Sequence, residues 1–110
     1  CAPCREEMPM LAELQTEFQS DDFEVVTIAT GRNKVTALRK FMDEINVDNL
    51  PLYRDPKQKM ARDMGVLGLP ITVLIDPNGQ EIARLRGDAD WASPSAKAII
   101  DALSVEEPQG

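Results

Sequence analysis

The sequence predicts a single α/β domain built on a mixed sheet flanked by helices, and three features carry that expectation. Helical and strand-like periodicities alternate through the first two thirds of the chain. The run over residues 23–29 is β-branched and almost continuously apolar, as expected of a parallel strand covered on both faces. Near the end, Asp76-Pro77-Asn78-Gly79 is a turn signal that joins residues 71–75 and 81–86 into an antiparallel hairpin.

The elements follow in order. After Cys4, Leu11, Leu14 and Phe18 recur at helical spacing and predict an amphipathic helix over residues 4–19. Pro9 lies inside it, lacks a backbone donor and predicts a kink. Ser20-Asp21-Asp22 ends the helix ahead of the first strand. Over residues 33–46, Val35, Leu38, Phe41, Met42 and Ile45 share one helical face, with Asn33 as the cap. A short strand over residues 50–53 precedes Asp55-Pro56, which pairs a capping side chain with a proline at the first helical position. In that third helix Met60 and Met64 face inward and Gly65 closes it. Such alternation implies right-handed βαβ units. Beyond the hairpin, Ser93-Pro94 opens a last helix with Ala96, Ile99, Ile100 and Leu103 on its inner face. The domain is expected to occupy residues 1–104, with an acidic tail over residues 105–110.

Bulk properties narrow the chemistry. One domain of 110 residues with 43% hydrophobic content buries a core without staples. A net charge of -7 argues against nucleic acid as a partner, because a phosphate backbone is gripped by clustered cations. The longest apolar runs are far too short to cross a bilayer, so membrane association is expected only through an anchor or signal segment ahead of Cys1. Histidine is absent, which removes the commonest general base together with the commonest metal ligand. No metal and no cofactor is expected, and chemistry falls to thiols, carboxylates, Lys, Arg or Tyr.

The two cysteines stand in Cys1-Ala2-Pro3-Cys4, which sets their sulfurs one helical turn apart, close enough to bridge when the first sits at the helix mouth. Unpaired N–H groups and partial positive charge at a helix N-terminus stabilise a thiolate over a thiol. Cys1 is then the exposed nucleophile and Cys4 the resolving thiol. Three other uses compete: half of a zinc site, which lacks a second ligand pair; a structural disulfide, whose short loop constrains little of the unfolded chain; and a lipid-modified N-terminal cysteine, which leaves Cys4 without a role.

Cys1-Ala2-Pro3-Cys4-Arg5-Glu6-Glu7-Met8-Pro9, followed by Gly65-Val66-Leu67-Gly68-Leu69-Pro70-Ile71-Thr72-Val73-Leu74-Ile75-Asp76, resembles the TlpA/ResA/DsbE branch of thioredoxin-like proteins. The resemblance extends along the whole chain, including a helix and strand between Asn33 and Tyr53 that the branch inserts. It implies a thioredoxin-like fold and a periplasmic or otherwise extracytoplasmic thiol-disulfide oxidoreductase, in many members membrane-tethered. The partners it implies are a protein or peptide disulfide, such as a cytochrome c apoprotein, and a membrane or periplasmic thiol reductant. It also implies a cis bond between Leu69 and Pro70 packed against the cysteine pair, with the Leu69 backbone, Ala2 and Pro3 facing substrate. Glu7, three residues after Cys4, shares its helical face; the branch associates a glutamate there with tuning the thiols, while most helix glutamates are merely solvated.

The sequence departs from this pattern twice. Ile71 is apolar where members commonly place Thr or Glu, and the buried strand expected before the cysteine pair is missing ahead of Cys1. Met8, Met42, Met60 and Met64 read as core packing, Trp91 as packing beside the last helix, and Arg84 and Arg86 as solvated charge on an edge strand. Alternatives on the same fold are a peroxiredoxin-like peroxidase, a redox-inert peptide-binding module and a copper chaperone.

Overall fold

The computed structural model describes residues 1–104. Its elements are α1 (Ala2–Phe18), β1 (Thr27–Thr30), α2 (Val35–Glu44), β2 (Leu52–Asp55), α3 (Lys59–Asp63), β3 (Ile71–Ile75), β4 (Glu81–Arg86) and α4 (Pro94–Ser104). The acidic tail expected over residues 105–110 lies outside the described residues.

The strands form two pairs. β1 and β2 are parallel, with Thr27 opposite Leu52 and Thr30 opposite Asp55, and α2 makes the crossover between them. β3 and β4 are antiparallel, with Ile71 opposite Arg86 and a register shift at Leu74/Ile75. Among the described residues no strand joins the two pairs, so the mixed sheet is present as two halves.

α1 starts earlier than its apolar periodicity suggests because Ala2-Pro3 make its first turn, where proline's missing N–H costs nothing. The helix continues through Pro9. Its inner residues Leu11 and Leu14 meet Trp91 and Ile100 in the buried core, with Phe18, Phe23, Val25 and Leu74 packed around them. Gln15, only 2% exposed, accepts the Val25 N–H on its side-chain oxygen at 2.7 Å and so ties α1 to the segment entering β1. Asn49 does the same ahead of β2, donating to the Ala12 carbonyl at 2.8 Å.

Several expectations are corrected. Strand pairing begins at Thr27, and Val26 and Ile28 are 49% and 39% exposed rather than covered on both faces. β1 is bonded along one edge only, so the neighbours that bury a central strand are absent among the described residues. Asn33 does not cap α2: its amide donates to the Thr30 carbonyl at 3.2 Å, and Lys34 takes the cap position without a side-chain bond. The strand expected at residues 50–53 is shifted to Leu52–Asp55, and α3 begins only at Lys59. Gln58, at φ +58°, takes the N-cap position without a side-chain bond and Pro56 lies outside α3, while Asp55 at the end of β2 accepts the Met60 and Ala61 N–H groups at 3.2 and 2.9 Å. That geometry turns Ala61 inward and leaves Met60 45% exposed.

Gly65 closes α3 with φ +68°, a conformation that L side chains resist, while Val66 N–H reaches back to the Ala61 carbonyl at 2.8 Å. The β3–β4 turn is held by Asp76, whose carboxylate accepts the Asn78 and Gln80 N–H groups, each at 2.9 Å. In α4, Ser93 caps by accepting the Ala96 N–H at 3.1 Å. Ile100 is buried, but Ile99 and Leu103 are 55% and 52% exposed, because α4 rests on α1 along one narrow stripe. Lys97 bridges from that stripe to Glu13 and Glu17 of α1, at 3.3 and 2.8 Å. Among the described residues no helix is long and apolar enough to cross a membrane.

Candidate active site

The cysteine pair forms the mouth of α1. Cys1 is the N-cap: its sulfur accepts the Cys4 N–H at 3.3 Å and its carbonyl accepts the Arg5 N–H at 3.1 Å. Cys1, Ala2 and Pro3 are exposed, and Cys4 is half-buried in the first turn. The sulfurs are joined in a disulfide with the Cα atoms 5.3 Å apart, so the structure is the oxidised form. Arg5 fastens the mouth to α2, lying 5.3 Å over the Phe41 ring and pairing with Glu44 at 3.0 Å.

Glu7 is buried, at 1% exposure, one turn further along α1. Its Oε2 accepts the Ala89 N–H at 3.0 Å, and no hydrogen bond joins it to either cysteine. Two residues before Ala89, Gly87 donates its N–H to the Pro70 carbonyl at 2.9 Å. The three residues Gly87-Asp88-Ala89 thus connect α1 to the loop before β3, where the Leu69–Pro70 peptide bond is cis. Pro70 is buried and Leu69 is 51% exposed.

Beside that loop lies a cavity of about 220 Å³ walled by residues 65 and 67–71 and by Arg86 and Gly87. None of residues 1–4 lines it, so the site has two parts, the helix mouth and the cis-proline cavity, linked through residues 87–89. The expected site residues therefore fall into both parts: Cys1, Ala2, Pro3 and Cys4 at the mouth, Leu69 and Pro70 at the cavity, and Glu7 on the link between them. Sequence reading missed Gly87 and Ala89. The available signal was a glycine directly after the last strand, here at φ +84°. Arg84 is not simply solvated, since it is bound to Met64 and Glu81. Trp91 lies in the core, with its indole N–H unpartnered among the described residues.

Comparison with known proteins bears on this arrangement. Residues 1–82, from the cysteine pair through the cis-proline loop into β4, match the AhpC/TSA family. The chain belongs to that family. The chain is similar to the thiol-disulfide oxidoreductase ResA of Bacillus subtilis, 32% identical over 87 residues that make up 79% of this chain and 48% of the relative. It is also similar to the thiol:disulfide interchange protein HelX of Rhodobacter capsulatus, 32% identical over 87 residues, 79% of this chain and 47% of the relative. The chain thus spans about half the length of the curated relatives it matches.

Among solved structures, one from Chlorobium tepidum described as a thiol:disulfide interchange protein DsbE superimposes with a TM-score of 0.71 at 28% identity, covering 94% of this chain and 69% of that one. A thioredoxin-type solution structure from Neisseria meningitidis gives a TM-score of 0.78 at 19% identity, covering 94% of this chain and 67% of that one, a likeness of fold alone. This AhpC/TSA-family chain has a thioredoxin-like fold, with its sheet in two halves.

Proposed function

We propose that the chain carries the redox site of a protein thiol-disulfide oxidoreductase that reduces disulfides in extracytoplasmic proteins, cytochrome c apoproteins or related thiol substrates among them. The observation that carries this reading is the position of Cys1: exposed, at the N-cap of a long helix, with a backbone N–H directed at its sulfur. A donor so placed, together with the helix dipole, lowers the thiol's pKa below its ordinary value once the pair is reduced. The similarity to the thiol-disulfide oxidoreductase ResA and the thiol:disulfide interchange protein HelX supports the same chemistry.

In the proposed cycle the Cys1 thiolate attacks a substrate disulfide, forming a mixed disulfide and expelling one substrate thiolate. Cys4 loses its proton to Glu7, one turn deeper in α1, and its thiolate attacks the Cys1 sulfur. The second substrate thiolate leaves, and Cys1 and Cys4 end in the disulfide of the oxidised form. A dithiol reductant then returns two electrons and two protons to the pair. Leu69 and Pro70 hold the substrate in an extended conformation, the Leu69 backbone pairing with it as an added strand, while Ala2 and Pro3 shape the approach to Cys1.

Trapping tests the reading. A Cys4→Ser protein, reduced and mixed with an extracytoplasmic extract, is expected to accumulate a mixed disulfide through Cys1, and a Cys1→Ser protein to accumulate none. Equal labelling of both variants, or no partner on Cys4→Ser, contradicts it.

A further inference from the structure

We propose that Arg86 selects substrates, favouring disulfides in segments that carry a carboxylate beside the reacting cysteine; the inference rests on the disulfide exchange proposed above. In the β3–β4 ladder Arg86 stands opposite Ile71, the residue after the cis proline. Directly opposed residues of an antiparallel pair project from the same face. Arg84, two residues back on that face, donates to the Met64 carbonyl at 2.7 Å, so the face is the one on which the segment after α3 lies. Two pairs further toward the cis proline, Arg86 lines the cavity together with Leu67, Leu69 and Ile71.

The two arginines differ in what they hold. Arg84 grips the Glu81 carboxylate with two nitrogens at 2.8 and 2.7 Å, and that bond keeps the Glu81 carboxyl below its ordinary pKa. Arg86 enters no side-chain hydrogen bond or ion pair among the described residues, and Asp90, four residues on in the chain, accepts the Ala92 N–H. An arginine with no side-chain partner among the described residues therefore lines a cleft together with Leu67, 97% exposed, and Leu69, 51% exposed. Apolar side chains this exposed beside a cleft mark a contact surface. The planar fork of a guanidinium matches a carboxylate with two parallel hydrogen bonds.

The rest of the molecule predicts the opposite preference. A chain of net charge -7 repels acidic segments and attracts basic ones, so a preference for acid has to arise from a local cation. This makes the sign of the effect diagnostic.

The test uses two oxidised peptides, identical except for Asp or Lys beside the reacting cysteine, reduced by the protein under dithiol recycling. For an exposed charge pair the Asp peptide is expected to be favoured about two- to fivefold in kcat/KM. The difference should lie in KM, shrink as salt is raised, persist in Arg86→Lys and disappear in Arg86→Gln. Equal rates, a Lys preference in the wild type, a salt-independent ratio, or a ratio unchanged by Arg86→Gln overturns the proposal. The wild-type salt series decides the matter even if the Gln variant does not fold. Reduction of both peptides without discrimination removes only the role of Arg86, whereas reduction of neither removes the exchange reading with it.

Discussion

A glutamate on the cysteine-bearing helix illustrates what one residue does here. Glu7 is buried, and its carboxylate holds the Ala89 amide, through which α1 is joined to the cis-proline loop. Leaving a buried donor without its partner costs about 1–3 kcal/mol. Glu7→Ala is therefore expected to destabilise the protein by that order in urea unfolding, while Glu7→Gln, which keeps an acceptor oxygen for Ala89, costs clearly less. Equal losses for the two variants contradict the bonding scheme. Its three-residue spacing from Cys4 was legible in the sequence, but its burial was not. Helical periodicity ranks glutamate as polar, and the partner that accounts for burial lies 82 residues away in the chain.

At the level of elements, local chemistry was readable wherever a side chain bonds its own neighbourhood. Asp76 in the hairpin turn and Ser93 at the start of α4 act where their sequence contexts place them. Asn33 shows where such reading stops, because one amide can cap a helix or close the end of a strand, and here the Thr30 carbonyl takes it. Asp55 was legible as a cap but not in its reach, spanning a turn to bond the Met60 and Ala61 amides. Asp55→Ala is expected to cost about 0.5–2 kcal/mol, the range for loss of a side chain that bonds the first N–H groups of a helix. Hydrogen exchange should localise that loss to α3, and an equal rise in exchange throughout the molecule contradicts the assignment.

On the scale of the molecule, stability is concentrated where α1 and α4 enclose Leu11, Leu14, Trp91 and Ile100. Leu14, 2% exposed at the centre of that cluster, is expected to cost about 2–5 kcal/mol when replaced by alanine, measured as a shift in the urea midpoint. A loss under about 1 kcal/mol places the core elsewhere. The fold class was legible because alternating periodicities and a single turn signal settle most of the topology. What periodicity left open was exposure: Val26, Ile28 and Ile75 belong to strand-like runs yet are 49%, 39% and 59% exposed. Apolar pattern records which residues a sheet tends to bury, whereas actual burial depends on which strands are paired beside it, and here the two pairs remain separate.

The reactivity of the sulfur at the mouth of α1 is read by following iodoacetamide modification of the reduced protein against pH, with the site identified by mass spectrometry. Cys1 is expected to be alkylated ahead of Cys4, at a rate that rises through a midpoint below the ordinary thiol value of about 8.5. A midpoint at or above that value, or alkylation shared equally between the two sulfurs, contradicts that expectation.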